Sequence, residues 1–281
     1  MKIIESKKIL QEEIQKLKSA GKTIGFVPTM GALHQGHLSL IDASNKACDV
    51  TISSIFVNPT QFNDKEDYDK YPRNFEADTQ ALEKANCNIV FIPTQQEMYP
   101  EEDLREFDFG ILGSVMEGAH RPGHFNGVAQ IVSKLFDAVP AHKAFFGQKD
   151  FQQFIIIKDL VKQLNYNIEI IPCPIVREKN GLAMSSRNQR LSEAEKEKAS
   201  FIYKTLSWAK ENYLNYSVSD LRQIVREKLE NLDGLRLEYF EIVNDKNLQS
   251  IKSWNEKEKF VACTAIFCGK VRLIDNIVFN L

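Results

Sequence analysis

Residues 23–46 read TIGFVPTMGALHQGHLSLIDASNK, and this stretch decides the fold class. Thr23-Ile24-Gly25-Phe26-Val27 has the β-branched and aromatic density of a buried strand, ended by Pro28. Leu38 to Lys46 carries a helical pattern, so residues 30–37, MGALHQGH, form the turn between a strand and the helix that follows it. The alternation continues downstream. Val50 to Val57 reads as a buried strand closed by Asn58-Pro59, Phe75 to Ala85 as a helix, and Ile89 to Ile92 as a strand stopped by Pro93. Next come a helical run from Val128 to Phe136, a short strand at Ala144 to Phe146, a helix from Asp150 to Leu164 and a strand at Ile168 to Ile171 before Pro172.

Strands alternating with helices call for a mainly parallel sheet covered on both faces. Right-handed crossovers make the economical solution an α/β, Rossmann-like doubly wound domain. Beyond Pro172-Cys173-Pro174 the texture changes. Ser192 to Tyr213 reads as a long helix with a capping box at Ser192 and Glu195, and Ser219 or Asp220 can cap a second helix reaching Asn231. Strand-like segments follow at Leu235 to Val243, Phe260 to Phe267 and Val271 to Phe279, with Cys268-Gly269-Lys270 as a tight hairpin turn. The expected organisation is a catalytic domain over residues 1–176 and a smaller α+β domain over 177–281.

Composition excludes several classes of function. The 281 residues carry 36 Lys and Arg against 38 Asp and Glu, a net charge of -2, which argues against a nucleic-acid coating protein. No run of ~18 apolar residues exists to span a membrane, and MKIIESKKILQEEI lacks the apolar core of a signal peptide. Five scattered cysteines, Cys48, Cys87, Cys173, Cys263 and Cys268, form no CxxC pair and suit a reduced, cytoplasmic protein. Asn215-Tyr216-Ser217 matches a glycosylation acceptor, which has no meaning without secretion.

Five segments can carry chemistry. In MGALHQGH, Gly31 and Gly36 let a ligand approach the backbone at a strand's carboxyl end, and His34 and His37 offer N–H donors to a phosphate. The segment is neither a GxGxxG fingerprint nor a P-loop. EGAHRPGHFNG, residues 117–127, reads as a shaped loop bearing His120, Arg121 and His124. Four of the five histidines fall in these two segments. NPTQFN, residues 58–63, presents Gln61 after a buried strand. FGQKDFQQ, residues 146–153, offers Lys149 for phosphates and Asp150 either for ribose hydroxyls or as a helix cap. MSSRN, residues 184–188, combines two hydroxyls with Arg187 in a manner suited to phosphate oxygens, on a loop between domains that can close on a nucleotide. Each segment alone also reads as ordinary turn chemistry; their joint placement at strand ends points to one nucleotide-phosphate site.

Taken in order, PTMGALHQGH, FVNPTQFN, EGAHRPGHFNGV, FFGQKDFQQ and MSSRN resemble the pantoate–β-alanine ligase family of Rossmann-like nucleotidyltransferases, nearly end to end. His34-Gln35-Gly36-His37 is similar to the HIGH-type signature of that superfamily. Met184-Ser185-Ser186-Arg187 is similar to its KMSKS loop, with Arg187 where synthetases have lysine. The resemblance implies that ATP and (R)-pantoate form pantoyl adenylate with release of pyrophosphate, and that β-alanine then gives pantothenate and AMP. It implies ATP contacts at Met30, Gly31, Ala32, Leu33, His34, Gln35, Gly36 and His37, at Gly147, Gln148, Lys149 and Asp150, at Val176, and at Met184, Ser185, Ser186 and Arg187. His37, His34, Lys149 and Arg187 are the implied catalytic groups, with His37 credited as a proton donor and Gln148 standing where some relatives have Glu. Gln61 and Gln153 are the implied pantoate ligands, Gln61 also lying near β-alanine. Mg²⁺ accompanying ATP, small-molecule partners only and a homodimer complete the expectation.

Chemically, Lys149, Arg187, Mg²⁺ and the histidines are sources of charge neutralisation for a carboxylate approaching a phosphate. His37 is expected to act as an electrostatic donor more than as an obligatory acid. The competing readings are another nucleotidyltransferase, which needs extra cations for a phosphorylated acceptor, a tRNA synthetase, and a non-catalytic ATP-binding module.

Overall fold

The structure is a computed structural model that describes residues 1–63, 65–254 and 259–279; the 177–281 stretch therefore includes six positions outside the described residues. The chain runs β1 (Lys2–Ile4), α1 (Lys7–Ser19), β2 (Ile24–Thr29), α2 (Gln35–Ala47), β3 (Val50–Ile55), α3 (Lys65–Asp69), α4 (Phe75–Lys84) and β4 (Ile89–Phe91). It continues through α5 (Gln95–Met98), α6 (Glu117–His120), α7 (His124–Ala138), β5 (Lys143–Gly147), α8 (Phe151–Gln163) and β6 (Glu169–Cys173). The last part holds α9 (Glu193–Asn212), α10 (Val218–Glu230), β7 (Leu235–Asn244), β8 (Phe260–Cys268) and β9 (Val271–Phe279).

Six strands form one parallel sheet in the order β1-β4-β3-β2-β5-β6. Side chains alternate between its two faces. Ile24 and Phe26 join the core beneath α1, α7 and α8, while Val27 joins the opposite core with Leu40 and Ile41 of α2 and Leu82 of α4. The chain lays β3 and β4 to one side of β2, then returns to place β5 on the other, so the order reverses between β2 and β5. A reversal of this kind leaves a crevice at the strands' carboxyl ends.

Here the crevice is widened by divergence. β2 pairs with β3 through Thr29–Ile55, but with β5 only at Gly25–Lys143 and Phe26–Ala144. The same divergence explains why Pro28 does not end the strand. Its nitrogen has the parity of Ile24, whose carbonyl accepts from His142 N on the β5 side, and at position 28 that side has no partner strand. Pro172 likewise sits inside β6, an edge strand, where a missing donor is tolerated.

A separate antiparallel sheet, β7-β8-β9, carries the helices α9 and α10. Its central strand is buried on both faces. Phe260, Ala262, Ile266 and Cys268 pack with α9 and α10, while Val261, Cys263 and Ala265 join the core of the first sheet. A register shift between Leu237 and Tyr239 reverses the parity of β7, so Leu235 and then Phe240 face the same helices.

Several expectations need correction. The three-residue β1 was missed. The helix after MGALHQGH starts at Gln35 and not at Leu38, and α7 starts at His124 and not at Val128. Residues 117–127 are therefore not a loop: Glu117–His120 is a helical turn, and Glu117 and His124 are buried. The α10 cap is Ser217, which accepts from Asp220 N, and not Ser219 or Asp220. The Ser192–Glu195 capping box and the Gly269-Lys270 turn are as expected. All five cysteines are free thiols, and no described helix is long and apolar enough to cross a membrane.

Candidate functional site

At the β2/β5 reversal lies a cavity of about 1300 Å³, its open mouth included. Met30, His34, Gly36 and His37 line it from the first strand-to-helix turn, and Gln61 from the turn after β3. Gly147, Lys149, Asp150 and Gln153 line it from the end of β5, and Val176 with Met184, Ser185, Ser186 and Arg187 from the connection to the second sheet. Gly31, Ala32, Leu33, Gln35 and Gln148 are not on the lining.

The reason lies in how the first turn is built. Asp78 of α4, 4% exposed, accepts from Ala32 N at 2.9 Å and from Leu33 N at 2.8 Å. Those backbone donors are thus already engaged inside the protein. Gly31 has φ +80°, and a Cβ there would stand 2.8 Å from the Asp78 carboxylate, so only glycine permits the turn.

His34 is the N-cap of α2, and the two imidazoles form a reciprocal capping box. His34 Nδ1 accepts from Gly36 N at 3.1 Å, and His37 Nδ1 accepts from His34 N at 3.3 Å. Each acceptor bond fixes the tautomer, placing the ring proton on Nε2. The ring centroids are 4.1 Å apart. Burial, then the nearby Lys149 charge, pushes the His34 pKa down to about 4. Burial, then His34 and Lys149, pushes His37 to about 3. Both rings are neutral near pH 7, so they offer N–H donors, as expected of them, and carry no positive charge of their own. Lys149 and Arg187 are the cations of the cavity lining.

Gln61 ends the 3-10 turn Pro59–Gln61, which packs directly on α7. A Cβ at Gly127 would lie 2.3 Å from the Thr60 carbonyl oxygen, which explains a glycine inside the first turns of a helix. Buried Asn58 donates to Gln61 Oε1 at 3.1 Å and to the Gly127 carbonyl at 3.1 Å. His124 Nδ1 donates to the Gln61 carbonyl at 2.8 Å. Burial pushes His124 down to about 4, so this support is also neutral.

Lys149 and Asp150 occupy the 3-10 turn Gln148–Asp150 ahead of α8. Asp150 stands at the helix N-cap but makes no capping bond; its carboxylate is half exposed, 3.8 Å from Lys149 Nζ. Two adjacent glutamines divide their roles. Gln152 is buried, binding Glu117 N and the carbonyls of Leu112 and Val115, whereas Gln153 lines the cavity.

In the MSSRN segment, Ser185 caps the 3-10 turn Ser186–Arg190 by accepting from Arg187 N at 3.2 Å. Arg187 does not stand alone: Asp67 of α3 accepts from it at 2.7 Å and from Arg190 at 3.0 Å. Burial would raise the Asp67 carboxyl, but the two arginines outweigh it and hold the group below its ordinary range. Within residues 117–127, His124 and Gly127 support the Gln61 turn, while Glu117 serves elsewhere. Glu117 accepts two bonds from Arg272 and one from Tyr239, joining α6 to the second sheet. Burial opposes its charge, yet Arg272 holds the Glu117 pKa at about 2.

Asn58, Asp67 and Asp78 were missed in the sequence. Asn58 sits inside the quoted NPTQFN segment, and its position beside a strand end was the available signal. No local signal marks Asp67 or Asp78, whose partners lie 120 and 46 residues away along the chain.

The family model described as Pantoate-beta-alanine ligase matches residues 2–278. The chain is 53% identical over 280 residues to the pantothenate synthetase of Bacteroides thetaiotaomicron, covering 100% of this chain and 99% of that one. It is 48% identical to that of Porphyromonas gingivalis, covering 100% of both. Among solved structures, the pantothenate synthetase of Thermus thermophilus superposes with a TM-score of 0.90 at 36% identity, with full coverage of both chains. A pantoate-β-alanine ligase from Francisella tularensis, complexed with β-γ ATP and β-alanine, superposes with a TM-score of 0.80 at 35% identity, covering 99% of this chain and 97% of that one.

Proposed function

The chain belongs to the pantoate–β-alanine ligase family and is a ligase of pantothenate biosynthesis that joins pantoate to β-alanine; we propose that it does so through a pantoyl-adenylate intermediate formed from ATP. A pantoate carboxylate oxygen attacks the α-phosphorus, the bond to the β-phosphate oxygen breaks, and pyrophosphate leaves. The β-alanine amine then attacks the acyl carbon and releases its proton, and the acyl–oxygen bond breaks to free AMP. Because a carboxylate is a poor acyl donor, adenylation supplies the leaving group.

The observation that carries this reading is that His34, His37, Lys149 and Arg187 line one cavity together with Gln61 and Gln153. Phosphate oxygens meet the two Nε2–H donors and the two cations, while the neutral amides hold pantoate without an ion pair at its reacting carboxylate. In this reading, Gln61 also lies beside β-alanine. Met30, Gly36, Gly147, Asp150, Val176, Met184, Ser185 and Ser186 complete the ATP contacts, and Gly31, Ala32, Leu33, Gln35 and Gln148 contribute through backbone shape.

Among the described residues, no group of three or more His, Cys, Asp or Glu forms a metal cage. Asp150, with no capping bond, suits a magnesium ion that arrives with the triphosphate, since Mg²⁺ commonly binds one or two carboxylates plus phosphates. Such an ion supplies charge neutralisation on the phosphates. A cytoplasmic homodimer, with domains over 1–176 and 177–281, belongs to the same reading.

Labelled pyrophosphate should exchange into ATP only when pantoate is present, with no need for β-alanine. Exchange without any acid, or its absence with pantoate, overturns the assigned half-reaction. A nucleotidyltransferase for another acceptor or an ATP-binding module would give these contrary results.

A further inference from the structure

Asp275 and Asn276, neighbours on β9, are 4% and 3% exposed. Asn276 Nδ2 donates to the carbonyl of Gln148 at 2.8 Å and to that of Lys149 at 2.9 Å. Asp275 takes the fork of Arg177 at 2.7 and 3.0 Å. Arg177 stands at the root of the segment that ends in Met184–Arg187: it also donates to the Gly181 carbonyl at 3.2 Å, and it bridges Ala183 through the backbone. The Asn276 backbone N–H donates to Asp275 Oδ1 at 2.7 Å, holding that carboxylate against its own strand.

One dipeptide of the small sheet thus grips both turns that carry the cavity's cations. The chemistry of the grip is selective. A primary amide has two N–H donors, one for each carbonyl. Aspartate would set negative charge against both carbonyl oxygens, and an apolar residue would remove both bonds. Holding the sheets together does not require this arrangement, because Arg272, Glu117 and Tyr239 already join them elsewhere.

We infer that Asn276 is a positioning residue for Lys149, and that Asp275, through Arg177, sets the Ser185–Arg187 loop in register with it, so that β9 fixes the spacing of the two cations. The inference rests on the proposed reading, in which Lys149 and Arg187 meet the phosphates of ATP. Asn276 reaches no substrate; its effect passes through Lys149.

The test is a double-mutant cycle of Asn276→Ala and Lys149→Ala, read in pantoate-dependent pyrophosphate–ATP exchange. With Lys149 present, Asn276→Ala should lower kcat about 10- to 100-fold, the scale of a displacement of about 1 Å, and leave the pantoate KM within about twofold. With Lys149 removed, the same substitution should change exchange by less than about threefold, because the two residues act as a unit. Equal factors in the two backgrounds, or no loss in the single variant, overturn the positioning role. Where exchange by the Lys149 variant falls below detection, ATP dissociation constants from calorimetry close the same cycle by the same criteria. If Asn276→Ala does not fold, Asn276→Ser, which retains one donor, takes its place in the cycle with an intermediate loss expected. Absence of pantoate-dependent exchange in the unsubstituted protein would instead refute the reaction itself and take the inference with it.

Discussion

His37 offers the sharpest discrimination between a proton donor and a fixed dipole. Its Nδ1 accepts from His34 N and its ring is neutral, so the nitrogen that remains for a ligand is a neutral Nε2–H. Glutamine at this third helical position can reproduce both functions: Oε1 reaches back to the N-cap N–H, as in an ordinary capping box, while Nε2 donates outward. Asparagine is too short to do both. Removing a preorganised donor of this type costs about 10²–10³ in rate, or ~2.7–4 kcal/mol of barrier. His37→Ala should lose that factor, plus ~1 kcal/mol of stability from the lost cap interaction. His37→Gln should stay within about tenfold of the parent, since it restores one donor to the same place. The assay is pantoate-dependent pyrophosphate–ATP exchange across pH 6 to 8, with Tm measured for both variants. Equal, near-total losses in two folded variants would refute the dipole account. So would a parental inflection near pH 6.5 that vanishes in His37→Gln, because it would reveal an imidazolium at work.

Further outcomes follow from the same geometry. Asp67 engages one nitrogen of Arg187 and, in the proposed reading, competes with phosphate for its charge; partly exposed pairs are worth up to ~1 kcal/mol, so Asp67→Asn should lower the ATP KM about two- to fivefold. An unchanged or higher KM counts against competition at Arg187. Gln153→Ala should weaken pantoate binding more than ATP binding, measured by calorimetry; comparable loss of both affinities would show its role was misassigned. His34, His37 and His124 have folded pKa values depressed to about 4, 3 and 4, so below pH 6.5 the unfolded chain takes up protons that the folded chain refuses. Stability should therefore fall as pH drops from 6.5 towards 4, by on the order of 2 kcal/mol or more between pH 7 and 5. A urea midpoint that stays level over that interval would contradict the burial of neutral rings.

The alternation of strand and helix was legible because it lives in local periodicity, and with it the crevice that collects MGALHQGH, NPTQFN, FGQKDFQQ and MSSRN. Residues 117–127 misled for a physical reason. Their glycines and proline look like loop chemistry, yet Gly127 lacks a side chain because the Thr60 carbonyl packs against the helix. The histidines were legible as N–H donors, but their neutrality depends on burial, and the tautomer on which ring nitrogen the backbone occupies; neither is written in spacing. Asp150 read either as a ribose ligand or as a cap, and the structure leaves the capping bond unmade. Asp67, Asp78 and Asn276 act across 46 to 128 residues of chain, where no periodicity can reveal a partner.

The central claim is that pantoate's own oxygen bonds to the α-phosphorus of ATP. It is tested most directly with pantoate labelled with ¹⁸O in its carboxylate, turned over with ATP and β-alanine, the products being resolved by mass spectrometry. One labelled oxygen in each AMP formed is the expected result. Unlabelled AMP, with the label in pyrophosphate or inorganic phosphate, would contradict it.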